Sequence, residues 1–331
     1  MRDGWPIKSL TDWEHRAGPK RATQWQGGRS AKEVARAWLA ACPGLPSEVT
    51  EVLATQPSAF GSVEEWLAEP ELALELDGFR GESRNTDLLV KTRDSYGDYL
   101  MAVEAKADEP FSETVADALA EAVERGLGPK KSNGVARIER LAAALFRPRQ
   151  KETEPGVHDP RLGELRYQLL TAAGAVLHEA DKSGHTRAVL LVHEFHTFAT
   201  APAKYAANAS DLNTFVTRIS RGAFTVVEPG GLYGPISVPG APGWRAVPSL
   251  YIGKAVRDVP DPWPELRVLA QQGPDRFLLG DSPTSTAGFL VQAGTVAATS
   301  PTSHLARGYW DTPILPDARQ AELVRRAKAT L

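Results

Sequence analysis

A single cysteine, Cys42, leaves no intramolecular disulfide on which a fold could depend. The 331 residues must therefore be held by a packed core, for which the chain is long enough, and a reducing compartment is compatible. No apolar run approaches the roughly 20 residues that span a bilayer. The opening Met1-Arg2-Asp3-Gly4-Trp5-Pro6 contains no apolar stretch of signal-peptide length. The expectation is a cytoplasmic protein with no membrane partner. A basic excess is also missing: the net charge is −3 and the isoelectric point about 6.2. Global charge therefore gives no support to nucleic-acid binding, whose affinity comes largely from phosphate contacts. The charge is unevenly spread, however. Residues 104–124 carry seven acids against the one base Lys106, and Lys130, Lys131, Arg137, Arg140, Arg147, Arg149 and Lys151 follow. A local basic groove remains compatible with this distribution.

Two familiar chemistries are absent as well. Gly230-Gly231-Leu232-Tyr233-Gly234-Pro235 is glycine-rich but lacks the Gly-Lys-Ser/Thr of a phosphate loop and opens no helix. His193-Glu194-Phe195-His196 places its second histidine one position too early for the zinc-protease pattern, on a segment that reads as a strand end. His193 is expected to be a strand-end hydrogen-bonding residue.

What the chain does contain is a pair of apolar strand-like runs bearing charge. Asn85-Thr86-Asp87-Leu88-Leu89-Val90 is followed, across the polar turn Thr92–Asp98, by Tyr99-Leu100-Met101-Ala102-Val103-Glu104-Ala105-Lys106. Side chains alternate faces along a strand, so Leu100, Ala102, Glu104 and Lys106 share one face and Met101, Val103 and Ala105 the other. Both faces are apolar until the strand's end, the pattern of a strand buried on both sides. Charges there are costly unless paired or bound to metal. A hairpin brings Asp87 and Glu104 side by side. Two carboxylates offer hard oxygen ligands suited to Mg²⁺, which is usually held by one or two carboxylates plus substrate phosphates. Lys106 on the same face is placed to orient or deprotonate an attacking water whose pKa the ion lowers.

Asp87 with Glu104-Ala105-Lys106 resembles the signature of the PD-(D/E)XK nuclease superfamily, with Thr86 where the name has proline. Residues 28–38, the Asp87 strand, 103–111, 165–170 and 188–193 also occur in an order similar to an uncharacterised bacterial family within that superfamily, over residues 1–257. The resemblance implies an α/β restriction-endonuclease-like α-β-β-β-α-β core, a mixed central sheet flanked by helices. It implies Mg²⁺, with Mn²⁺ able to substitute, held by Asp87, Glu104 and the main chain of Ala105. Asp87, Glu104, Lys106 and Gln168 are then the catalytic set, because several such families carry a glutamine facing the metal from a helix after the catalytic strand. Glu33, Glu75 and Glu82 are further acidic candidates for which a solvated position is the simpler expectation. The implied function is phosphodiester hydrolysis of nucleic acid, DNA foremost, in defence against foreign DNA, as a homodimer or with a partner protein. The alternative is a non-cleaving member of the same fold that binds nucleic acid or protein within a defence complex.

Periodicity predicts a helix over 30–41, strands over 72–77, 85–91 and 99–106, a helix from Ser112 to Gly126 and another over 135–146. A long helix over 162–182 and a buried strand over 187–194 follow. Asp258-Val259-Pro260-Asp261-Pro262-Trp263-Pro264 marks a boundary, since three prolines in seven residues continue neither helix nor central strand. Beyond it, a small α+β module over 258–331 is expected, with strands over 276–280 and 288–293 and a helix over 317–331.

Overall fold

Strands that are apolar on both faces need cover on both sides, and the chain provides it with two separate sets of helices. A computed structural model describes residues 1–259 except 3, 20–23, 26, 76–83, 130–131, 149–158, 198–199 and 201, together with the backbone of four strands between 267 and 298. Strands β1 (Val63–Leu74), β2 (Arg84–Asp94), β3 (Gly97–Lys106), β4 (Arg187–His196), β5 (Leu232–Ile236) and β6 (Ser249–Asp258) form one sheet in the order β1-β2-β3-β4-β6-β5. The β1, β2 and β3 pairings are antiparallel, β3–β4 and β4–β6 parallel, and β5 closes the far edge antiparallel to β6. The fold is thus mixed α/β. The parallel steps occur where helices intervene, as a parallel crossover requires.

Helices α1 (Leu10–Ala17), α2 (Ser30–Ala41) and α3 (Ser47–Ala54) cover one face. There Trp13, Trp38 and Val52 pack with Leu88, Val90, Met101, Val103 and Leu191. Helices α4 (Val115–Leu127), α5 (Gly134–Leu145), α6 (Tyr167–Ser183) and α7 (Pro202–Ile219) cover the other. Here Leu141, Leu169, Leu177 and Phe215 pack with Leu89, Leu100, Ala102 and Leu190. The alternation along β2 and β3 sends neighbouring residues into different cores, and it puts Glu104 on the α6 side with Leu100 and Ala102. Among the described residues no helix is long and apolar enough to cross a membrane.

Several expectations shift. The edge strand β1 runs from Val63 rather than residue 72; its solvated glutamates at 64 and 65 and the Lys91-paired Glu69 break up the apolar signal. The helix expected from Leu162 starts at Tyr167, after a 3-10 turn at Leu162–Glu164. Between them, Val115 N–H donates to the Leu165 carbonyl at 2.8 Å and Tyr167 N–H to that of Glu113 at 3.0 Å, so a short extended pairing ties α4 to α6. Ser112 does not cap α4. Thr114 does, in a reciprocal box with Asp117, while Ser112 Oγ accepts the Gln168 N–H at 3.1 Å and caps α6 instead. Helices α1, α3 and α7 and strands β5 and β6 were not expected from sequence.

Past residue 259, β7 (Arg267–Gly273), β8 (Arg276–Gly280), β9 (Phe289–Gln292) and β10 (Thr295–Ala298) form an antiparallel sheet in the order β10-β9-β8-β7. The proline boundary from Pro260 to Pro264 and the expected terminal helix lie outside the described residues.

Candidate metal centre

The register places three acids in one row across the sheet. Asp87 lies one step beyond the Leu88–Val103 pair, opposite Glu104. On its other side, between the Pro70–Leu88 and Leu72–Thr86 pairs, it lies opposite Glu71, whose φ of 50° is left-handed for a non-glycine residue. Asp87 Oδ2 accepts the Ala105 N–H at 2.7 Å, which fixes its carboxylate against β3.

Glu104 is fully buried and both its oxygens are engaged. Oε2 accepts from Gln168 Nε2 at 2.8 Å, and Oε1 accepts from Arg84 Nη2. Gln168 Oε1 accepts from Lys106 Nζ at 2.9 Å. Lys106 is itself buried, its ammonium 5.0 Å from the Phe111 ring centre. Gln168 stands in the first turn of α6, where Ser112 holds its N–H, so the loop after β3 and the start of α6 position the bridging amide together.

Burial and mutual repulsion weigh on the acids of this row. Burial pushes the Asp87 carboxyl well above the ordinary carboxylate range, and Glu104 and Glu71 push it further against the opposing pull of Lys106. Burial, then Glu104, raises Glu71 as well. A cleft of about 460 Å³ opens over the row and is lined by Glu71, Asp87, Ala105, Lys106 and Gln168, with Arg29 and Glu109 at its rim.

The donor set fits a hard divalent cation. Asp87 and Ala105 line the cleft with Glu104 beside them in the row, and an added cation would offset the burial and repulsion that raise Asp87 and Glu71. Among the described residues no group of three or more His, Cys, Asp or Glu side chains is close enough to hold a metal. A site of this kind therefore relies on two carboxylates with main-chain and solvent oxygens.

Asp87, Glu104, Ala105, Lys106 and Gln168, all expected from sequence, come together here. Glu33, Glu75 and His193 do not. Glu33 is buried, but its Oε1 accepts the Gly28 N–H at 2.8 Å and an Arg36 N–H at 2.6 Å, tying down the entry to α2. Glu75 is exposed and faces Lys182 Nζ at 3.4 Å. Glu82 lies outside the described residues. His193 is buried on the α2 face, where Trp38 Nε1 donates to Nδ1 at 3.3 Å and Glu48 Oε1 lies 2.9 Å from Nε2. Arg257 grips both oxygens of the same Glu48 at 2.6 and 2.8 Å.

Glu71, Arg84 and Arg29 belong to the site or its rim and were not singled out from sequence. Glu71 follows a proline in a glutamate-rich edge strand and carries no distinguishing signal. Arg84 starts the strand that bears Asp87, three residues ahead of it, and that proximity was the available hint. Arg29 pairs with Asp108 across the cleft mouth.

The chain matches no curated protein and no solved structure. Residues 6–243 match the model of a family described as a domain of unknown function, DUF6946, and the chain belongs to that family.

Proposed function

We propose that this protein is a Mg²⁺-dependent phosphodiesterase that cleaves nucleic acid, DNA foremost, on a restriction-endonuclease-like core. The observation that carries the reading is the convergence of Asp87, Lys106 and Gln168 on one cleft from three separate elements, with Glu104 directly beneath, opposite Asp87 and bonded to Gln168. The antiparallel β1-β2-β3 unit, followed by helices and the parallel β4, supports the same core.

In this reading Asp87, Glu104 and the Ala105 carbonyl hold the ion, which supplies charge neutralisation at the phosphate when bound. Lys106 Nζ orients the attacking water and contacts the phosphate. Gln168 fixes Lys106 relative to Glu104, since one amide serves both. Arg29 adds positive charge at the rim, where an incoming backbone phosphate passes. The intact acid–acid–lysine set favours cleavage over mere binding, because a non-cleaving copy has no use for all three.

The test is incubation of purified protein with supercoiled plasmid, linear duplex, single-stranded DNA and RNA, with Mg²⁺ and with EDTA. Metal-dependent shortening of any of these, lost in Asp87→Asn and Glu104→Gln, is the expected result. Intact substrates throughout would overturn the reading.

A further inference from the structure

Arg84 is the basic member of this site for which the proposed chemistry has no use. Its side chain is 11% exposed and that of Glu104 1%, so the pair is almost wholly desolvated. Nη2 donates to Glu104 Oε1 and Nη1 to Thr171 Oγ1 at 2.7 Å. Nε is buried and donates to no acceptor among the described residues. The guanidinium therefore makes one contact to the carboxylate instead of the two-pronged fork that gives arginine pairs their strength.

The two oxygens of Glu104 are held differently. Gln168 on Oε2 is satisfied on both sides, by Glu104 and by Lys106. Arg84 on Oε1 is incompletely satisfied, and a positive charge there directly opposes a second cation on the same carboxylate. Buried like charges a few ångströms apart repel strongly even at an effective dielectric near 20. Removing Arg84 alone would in turn leave Glu104 buried without a countercharge, which is costly.

We propose that Arg84 is an internal counter-ion that competes with the divalent metal for Glu104 and so sets the metal affinity of the site. Loading then requires Arg84 to leave Oε1 while Gln168 stays, and Thr171 is the anchor that holds the guanidinium in its blocking position. The inference rests on the reading of Asp87 and Glu104 as metal ligands.

The experiment is calorimetric titration of the full chain with Mn²⁺ and Mg²⁺, comparing wild type, Arg84→Met and Thr171→Val, with thermal melts in EDTA. Arg84→Met should bind the ion at least about tenfold more tightly. Its melting temperature in EDTA should fall, and its gain on adding metal should exceed that of wild type. Thr171→Val should tighten binding by a smaller factor. Binding by Arg84→Met that is weaker than or equal to wild type would overturn the proposal and make Arg84 a positioning residue for Glu104. If Arg84→Met does not fold, Thr171→Val decides: tighter binding supports competition, and equal or weaker binding overturns it. If no form binds either ion, the ligand assignment itself falls and the inference with it; wild-type binding that neither variant tightens defeats the inference alone.

Discussion

The Lys106 ammonium donates to Gln168 Oε1 at 2.9 Å while the amide nitrogen of the same glutamine donates to Glu104 Oε2 at 2.8 Å. The two contacts fix the orientation of the amide, because only the carbonyl end can accept from an ammonium and only the nitrogen end can donate to a carboxylate. Gln168 thereby couples the position of the lysine to that of Glu104. Lys106→Met should cut cleavage about a hundredfold or more while Mn²⁺ still binds, no more weakly than in wild type. Gln168→Ala should lower cleavage less, through misplacement of Lys106, with KM little changed. Loss of metal binding in Lys106→Met would mark the lysine as a structural partner of Glu104.

Asp87 makes a second prediction, of opposite sign for stability and function. Burial and two neighbouring acids disfavour its ionised form. Asp87→Asn keeps an acceptor for the Ala105 N–H and removes one negative charge, so the protein in EDTA should melt a few degrees higher, the shift expected for ~1 kcal/mol in a domain of this size. Mg²⁺ should raise the melting temperature of wild type and not that of Asp87→Asn. A drop in melting temperature in EDTA would mean that Asp87 is already compensated, and that the row of acids has no need of a cation.

How much of this was legible follows from what each residue's neighbours are. Asp87, Glu104 and Lys106 stood out because charge on a two-sided apolar strand is anomalous within the strand itself. Gln168 needed the resemblance, since a glutamine at a helix start is unremarkable until the register brings it over β3. Glu71 and Arg84 were missed for a related reason: Glu71 acts through Asp87 on the neighbouring strand, and Arg84, despite its place three residues before Asp87, through Glu104 on β3 and Thr171 on α6. The same holds for β6. Its run Leu250-Tyr251-Ile252 is short and apolar, and only its parallel pairing with β4 makes it central. Ser112 was read correctly as a cap but assigned to the wrong helix, because α4 and α6 start side by side through the Glu113–Tyr167 and Leu165–Val115 bonds.

The C-terminal region gives a third test. All six strands of the main sheet end by Asp258, and Val259 N–H still donates to the His196 carbonyl at 2.8 Å. A chain truncated after Val259 should fold, with an unchanged near-ultraviolet circular dichroism spectrum and undiminished Mn²⁺ binding. Cutting before Arg257 should be far worse, because Glu48 would lose both guanidinium contacts. An insoluble product from the longer truncation would show that residues 260–331 complete the core.

His193 provides a fourth. Burial holds its imidazole below the ordinary histidine range, against the opposing pull of Glu48. Trp38 donates to Nδ1, so the proton sits on Nε2 facing Glu48, and the ring is neutral. In the unfolded chain the ring takes up a proton near pH ~6.5. The stabilisation is therefore complete above that pH and declines as pH falls below it, by up to ~1.4 kcal/mol per pH unit for one proton. Nitrogen NMR should show a single Nε2–H tautomer with no titration from pH 8 to 6. A histidine that charges within that window would contradict the buried neutral assignment.

The last prediction concerns the end of the sheet remote from the cleft. Arg187 donates to both oxygens of Asp94 at 3.0 and 2.9 Å, with side-chain exposures of 9% and 0%. The guanidinium also stacks near Tyr99 and Phe60, 4.8 and 5.2 Å from their ring centres. Burial by itself would raise the Asp94 carboxyl. The Arg187 fork and the N–H groups of Gly61 and Tyr96 outweigh it and hold Asp94 below its ordinary range. A depressed carboxylate contributes stability that is fully present above the unfolded value near pH ~3.9 and is lost as pH falls through the lower folded value. This pair should thus be indifferent between pH 5 and 8 and should fail only in strong acid. Asp94→Ala leaves a buried guanidinium without its partner and should cost ~3–5 kcal/mol, whereas Asp94→Ala combined with Arg187→Met should recover much of that loss. Denaturant melts of the two variants at pH 7 and pH 3 measure both claims, and an Asp94→Ala protein as stable as wild type at pH 7 would show that the Ala59 and Gly97 carbonyls and the aromatic rings suffice to hold Arg187.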